Sequence, residues 1–161
     1  MDGATFSSDK NNGLTTHLYY TVAGNPEYPN IVIGGLQDNG TRLRTDNSTI
    51  HNQVIGGDGM GAAYSQANTN TVIGSAQGSS MRTNLSNTAP DTFQNWAAAT
   101  SGLSDVGFGF FTAIVPAPAS LDPTGRIFFH FSNARVWRSV NGGLNWSLIG
   151  SAVGVPSPGL P

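Results

Sequence analysis

Two stretches of this chain repeat one another. Residues 31–42, IVIGGLQDNGTR, align with residues 71–82, TVIGSAQGSSMR, and five identities fall at a single offset of 40 residues: Val32/Val72, Ile33/Ile73, Gly34/Gly74, Gln37/Gln77 and Arg42/Arg82. A third copy, residues 127–138 (IFFHFSNARVWR), lies at a further offset of 56, keeps the apolar run and the closing arginine (Arg138), and has Asn133 in the glutamine position. A unit of about 40–50 residues that holds four short strands cannot bury its own apolar face and must stack on neighbours, which is the condition of a propeller blade. The repeats therefore predict an all-β fold of four-stranded antiparallel sheets arranged as β-propeller blades.

Three units can be drawn, at 14–55, 56–100 and 101–150, followed by a Gly/Pro/Ser-rich tail at 151–161 that reads as irregular. Strands are expected near 17–22, 30–34, 41–44 and 50–55 in the first unit. In the second they fall near 62–65, 71–75, 80–83 and 93–97, and in the third near 110–115, 126–131, 135–139 and 146–149. Composition agrees: 21 glycines and only 10% charged residues make a turn-rich chain whose polarity comes from amides and hydroxyls. A net charge of −2 gives no electrostatic case for nucleic acid or an anionic membrane. No apolar run approaches the roughly 18–20 residues that span a bilayer. The absence of cysteine excludes disulfides, thiolate metal sites and a cysteine nucleophile. The first residues, MDGATFSSDKNNG, have neither the basic region nor the apolar core of a secretory leader, so either export does not occur or a leader lies upstream.

The third unit ends in residues 139–146, SVNGGLNW. Asn141-Gly142-Gly143 supplies the positive φ angles of a tight turn, Ser139 and Asn141 can bond its backbone, and Trp146 opens a return strand. This stretch resembles the Asp-box, Ser-x-Asp-x-Gly-x-x-Trp, of sialidase-like β-propellers, with Asn141 in the aspartate position. Trp96 takes the place of Trp146 in the second unit, so both rings are expected in the core. With GGLQDNGT, GGDGMG and LDPTGRIFF, the resemblance extends to the xyloglucanase, sialidase and sortilin group and covers residues 14–150. It implies a carbohydrate-related, glycoside-hydrolase-like propeller working outside the cell or in the periplasm. The rival readings are a non-catalytic binding or adhesion scaffold, and a truncated propeller fragment with incidental hydrolase activity after oligomerisation.

In a blade, the loop between strands two and three shares a face with the lead-in to the next blade. That face gathers Gln37, Asp38, Asn39, Asp58, Gln77, Asp105 and Asn133. Asp58 in GGDGMG and Asp105 in SDVGFG occupy similar places in successive units, and two carboxylates around a channel suit acid and base in glycoside hydrolysis. Turn formation beside glycine is the plainer role and outweighs catalysis for each of them. If the protein is an enzyme, Asp58, Asp105 and then Asp38 are the catalytic candidates. Asn39, Gln37, Gln77, Asn133 and Trp137 are then the substrate contacts, Trp137 as an exposed ring. Arg42, Arg82 and Arg138 are read as structural, recurring at one blade position. His17, His51 and His130 are isolated, with no metal-ligand spacing, and each reads as a packed or surface histidine. No cofactor or metal is expected, and a glycan or small molecule is the expected ligand. Propellers have about four to eight blades. Three blades imply either the remainder of a larger propeller or closure by homo-oligomerisation, a dimer being the simplest case.

Overall fold

The computed structural model describes residues 17–47, 49–86, 95–104, 111–132 and 135–151. Within them the strands are β1 (Tyr19–Gly24), β2 (Val32–Leu36), β3 (Gly40–Arg44), β4 (Asn52–Ile55), β5 (Gly59–Tyr64), β6 (Val72–Ala76), β7 (Ser80–Asn84), β8 (Ala97–Ala98), β9 (Ala113–Pro116), β10 (Phe128–Ser132), β11 (Arg135–Ser139) and β12 (Ser147–Ser151). They form three four-stranded antiparallel sheets, each a meander in chain order, β1 to β4, β5 to β8 and β9 to β12. No α-helix occurs among the described residues. The protein is all-β and propeller-like, as the repeats predict.

The loop from the first strand to the second shows why the repeat folds three times alike. Backbone bonds from Asn25 N to Ile31 O, from Ser65 N to Thr71 O and from Ala117 N to Ile127 O close it in each sheet, all at 2.9 Å. Inside the first loop, Asn25 Oδ1 accepts from the amides of Glu27 and Tyr28. In the second, Ser65 Oγ accepts from Ala67 and Asn68. The third is longer, and the buried Asp122 carboxylate takes its amides at Thr124 and Ile127. A short polar side chain organises each turn so that a β-branched or aromatic strand can follow.

The sheets stack through their innermost strands, β5 lying against β1 on one side and β9 on the other. Two apolar clusters fill the gaps. Ile33, Leu43 and Ile55 of the first sheet meet Tyr64, Val72 and Trp96 of the second. Ile73 and Met81 of the second meet Ile114, Phe128, Trp137 and Trp146 of the third. The start of β5 lies so close to the β2–β3 turn that a Cβ on Gly59 would overlap the carbonyl of Gly40 across the gap. This is why β5 starts at Gly59, ahead of its expected beginning at 62: glycine is poor as a strand former but is required by the close approach. Hydroxyls bridge the same gaps, Thr41 Oγ1 to Ser75 O at 2.6 Å and Thr83 Oγ1 to Gly142 O at 2.7 Å. The Trp146 indole N–H donates to Ala99 O at 2.8 Å.

Strand pairing corrects the third repeat. Leu36 pairs with Gly40 and Ala76 with Ser80, but Ser132 pairs with Arg135, so the third hairpin is one residue shorter. Gly34 faces Arg42 and Gly74 faces Arg82, whereas His130 faces Trp137. A one-residue slip exchanges the two faces of a strand. Trp137 therefore takes the arginine position and turns inward, and Arg138 lies exposed on the opposite face. Trp137, expected as a surface ring, is only 3% exposed and sits in the second cluster. Phe108 and Phe110 lie outside the described residues. Phe111 is exposed and meets Tyr20 of β1 edge-on at 5.5 Å.

Candidate functional site

The turns at 37–39 and 77–79 and the lead-in to β5 come together at one rim of the stack. Asp38 holds φ at 58°, a left-handed conformation that aspartate tolerates, and Gly40 follows at 72°. The Asp38 amide donates to Asp58 Oδ1 at 2.8 Å. The Asp58 amide in turn donates to Gln77 Oε1 at 2.8 Å, and Gln77 N to Asp58 O at 2.9 Å. One line of hydrogen bonds thus runs from the first sheet's turn, through Asp58, to the second sheet's turn. Asn39 closes its own turn, its Nδ2 donating to Gln37 O at 3.0 Å.

Gln37, Asp38, Asn39 and Gln77 are exposed and Asp58 is half-buried. Asp58 and Asp38 are brought to the same rim, while Asp105 and Asn133 lie outside the described residues. Asp58 does the work of a turn residue, but the amide it binds belongs to the neighbouring sheet, 20 residues earlier. What this rim offers chemically is one carboxylate oriented by an amide, a second carboxylate on the turn it binds, and neighbouring amide side chains able to bond hydroxyls. Trp137 does not join it.

Arg42 and Arg82 have matching partners. Arg42 Nη1 donates to His51 O at 2.9 Å and Arg82 Nη1 to Trp96 O at 3.1 Å. Each holds the carbonyl just ahead of its sheet's fourth strand, a structural bond, as read from the sequence.

The histidines are isolated in sequence, but two of them meet in the fold. The Tyr19 hydroxyl lies 2.6 Å from His51 Nδ1 and 3.3 Å from His17 Nδ1, and the two imidazoles cross edge to face at 5.1 Å. With Arg44 and Thr49 they line a cleft of about 300 Å³. Burial raises the Tyr19 phenol above its ordinary value against the pull of Arg42 and Arg44. Burial, then His17, Arg44 and Arg42, lowers the His51 imidazole. Spacing gives no sign of this cluster, because the ring of Tyr19 crosses β2 over Gly34. The signal was in the repeat: Asn52, Ala97 and Ser147 pair with equivalent third-strand residues, so His51 stands where Trp96 and Trp146 stand. His130, by contrast, is wholly buried between the second and third sheets, with Nε2 3.3 Å from Ser79 Oγ. A second groove, of about 250 Å³, runs along the far ends of β1, β5 and β9 and is lined in part by Tyr64.

No protein-family model matches the chain, and no curated protein does. Solved structures do match. The crystal structure of an ancestral GH74 enzyme superposes with a TM-score of 0.63 at 18% identity, over 83% of this chain and 18% of the other. A GH74 enzyme of Niastella koreensis gives a TM-score of 0.57 at 16% identity, over 82% of this chain and 22% of the other. The chain thus spans about a fifth of the length of each, and at these identities the likeness is one of fold.

Proposed function

We propose that this chain is a segment of an Asp-box β-propeller that handles carbohydrate, taking a glycan at the rim formed by Gln37, Asp38, Asn39, Asp58 and Gln77. The observation that carries this reading is the hydrogen-bonded line from Asp38 through Asp58 to Gln77, which puts two carboxylates and three exposed amide side chains, Gln37, Asn39 and Gln77, on one edge. Glycoside hydrolysis uses paired carboxylates, one as acid and the other as base or nucleophile. In this reading Asp58 and Asp38 fill those roles, with Asp105 as the further candidate. The fold likeness to GH74 enzymes supports the carbohydrate class.

The Asp-box assignment draws support from the third sheet's hairpin. Ser139 Oγ accepts from Gly143 N at 2.8 Å and Asn141 N at 3.3 Å, and Asn141 Oδ1 accepts from Asn145 N at 2.9 Å. Gly142 and Gly143 hold φ at 72° and 90°. An asparagine oxygen here makes the bonds that the aspartate of the motif would make.

Asp58→Asn tests the catalytic reading. The amide oxygen still accepts from Asp38 N, so the fold stays intact while the carboxylate is lost. Turnover of glycan substrates should fall at least about a hundredfold with the melting temperature unchanged. Glycan binding with no turnover in the parent protein would instead establish the scaffold. An extracellular or periplasmic setting belongs to the same proposal. So does association through the third sheet's outer face, where Phe131 is 43% and Val115 46% exposed.

A further inference from the structure

The outer face of the first sheet differs from its counterparts at the two positions that make sheets stack. Tyr19 pairs with Leu36 as Gly59 pairs with Ala76, so Tyr19 occupies the place of the glycine that lets the second sheet close on the first. His51 occupies the place of Trp96, which fills that same gap from the second sheet. On the first sheet these two residues are bonded to each other, and the Tyr19 ring covers Gly34. On the second sheet, the space over the equivalent Gly74 is filled by Thr41, Ile55 and Ile33 of the neighbouring sheet. A pair suited to burial has been replaced by a polar pair.

The charges that act on this pair among the described residues are Arg42, Arg44 and His17. Arg44 lines the cleft, held in place by its Nε bond to Asn30 O at 3.0 Å, and Arg42 is fixed by bonds to Asn39 O and His51 O. The lining side chains, His17, Tyr19, Arg44, Thr49 and His51, include no carboxylate. With the phenol donating to Nδ1 of His51, Nε2 carries that ring's proton, and the ring, the Thr49 hydroxyl and the Arg44 guanidinium are all donors. Two imidazoles and a phenol would also suit a metal cation. The two guanidiniums oppose one, and they favour an anion.

We propose that the cleft lined by His17, Tyr19, Arg44, Thr49 and His51 is a binding site for a small oxyanion, phosphate or carboxylate, on the outer face of the first sheet. The site is separate from the Asp38–Asp58 rim and does not depend on the carbohydrate reading. A bound anion neutralises the charge that Arg42, Arg44 and His17 place on His51, and so favours its protonated form.

The test is an NMR titration of the three histidines in the full chain. Inorganic phosphate and sodium glucuronate are added separately, each against sodium chloride at equal ionic strength. Saturable shifts at His51 and His17, with a rise of about one unit in the His51 titration midpoint and no change at buried His130, are the expected result. Response to phosphate alone assigns a tetrahedral oxyanion, and response to glucuronate alone assigns a carboxylate. Arg44→Gln should remove the response while leaving the His130 signals in place. Shifts no larger than those in chloride overturn the proposal in the parent protein alone, whatever the variant does. So does a response that survives Arg44→Gln undiminished, or one to zinc chloride in place of either anion.

Discussion

Tyr64 is the bulkiest fully buried side chain among the described residues, and its hydroxyl has no hydrogen-bond partner there. A buried, unpaired hydroxyl forfeits its bonds to water without return. Tyr64→Phe should therefore raise stability by about 1 kcal/mol, read as a higher urea midpoint at unchanged slope. Burial also pushes this phenol well above its ordinary value of 10.0. The folded state then holds the proton more tightly than the unfolded chain does. That part of the stability is complete below the ordinary value and declines as pH rises past it, and Tyr64→Phe should flatten the decline. Single residues were legible in the sequence where the motif was local: Trp96 and Trp146 are in the core, as their motif position predicts. Trp137 was not, because its direction depends on a turn one residue shorter than in the other copies, and alignment on Arg138 hid that difference.

At the scale of the element, the loop before β10 rests on one carboxylate. Burial alone would raise the Asp122 carboxyl, but the Thr124 hydroxyl and the amides of Ile127, Arg126 and Thr124 outweigh it and hold the group below its ordinary 3.8. A depressed carboxyl contributes stability that is present above the unfolded value and lost as pH falls through the folded one. Asp122→Asn should lower stability at neutral pH by about 1–2 kcal/mol and flatten the acid limb of a plot of melting temperature against pH. An unchanged acid limb would place the protective bonds elsewhere. Hairpins and loops were readable because their chemistry sits in adjacent residues such as Asn141-Gly142-Gly143. The line from Asp38 to Asp58 to Gln77 joins residues about 20 apart across two sheets, and the sequence gives only their shared rim and not their bonds.

The whole molecule presents two different ends. Positions that bury Ile33, Leu43, Ile73 and Thr83 against the next sheet are filled on the third sheet by Phe129 and Arg138, with Phe131 and Val115 exposed on the same face. An apolar sheet face of this kind favours association. Phe131→Asp should shift the mass measured by light scattering towards that of the 16.8 kDa chain, with the far-ultraviolet spectrum unchanged. A parent protein already at that mass at high concentration would exclude this face as the contact. Six-bladed closure by two chains also requires the first sheet to receive the third, and for that the Tyr19 ring must leave Gly34.

That ring makes the two outer faces of the stack unequal as docking surfaces. A unit placed after the third sheet meets the exposed Phe131 and Val115, with Arg138 beside them. One placed before the first sheet meets a tyrosine where the second sheet has glycine, and docks only once that ring has moved. Among the described sheets, the first therefore takes a further blade only at the cost of a ring movement.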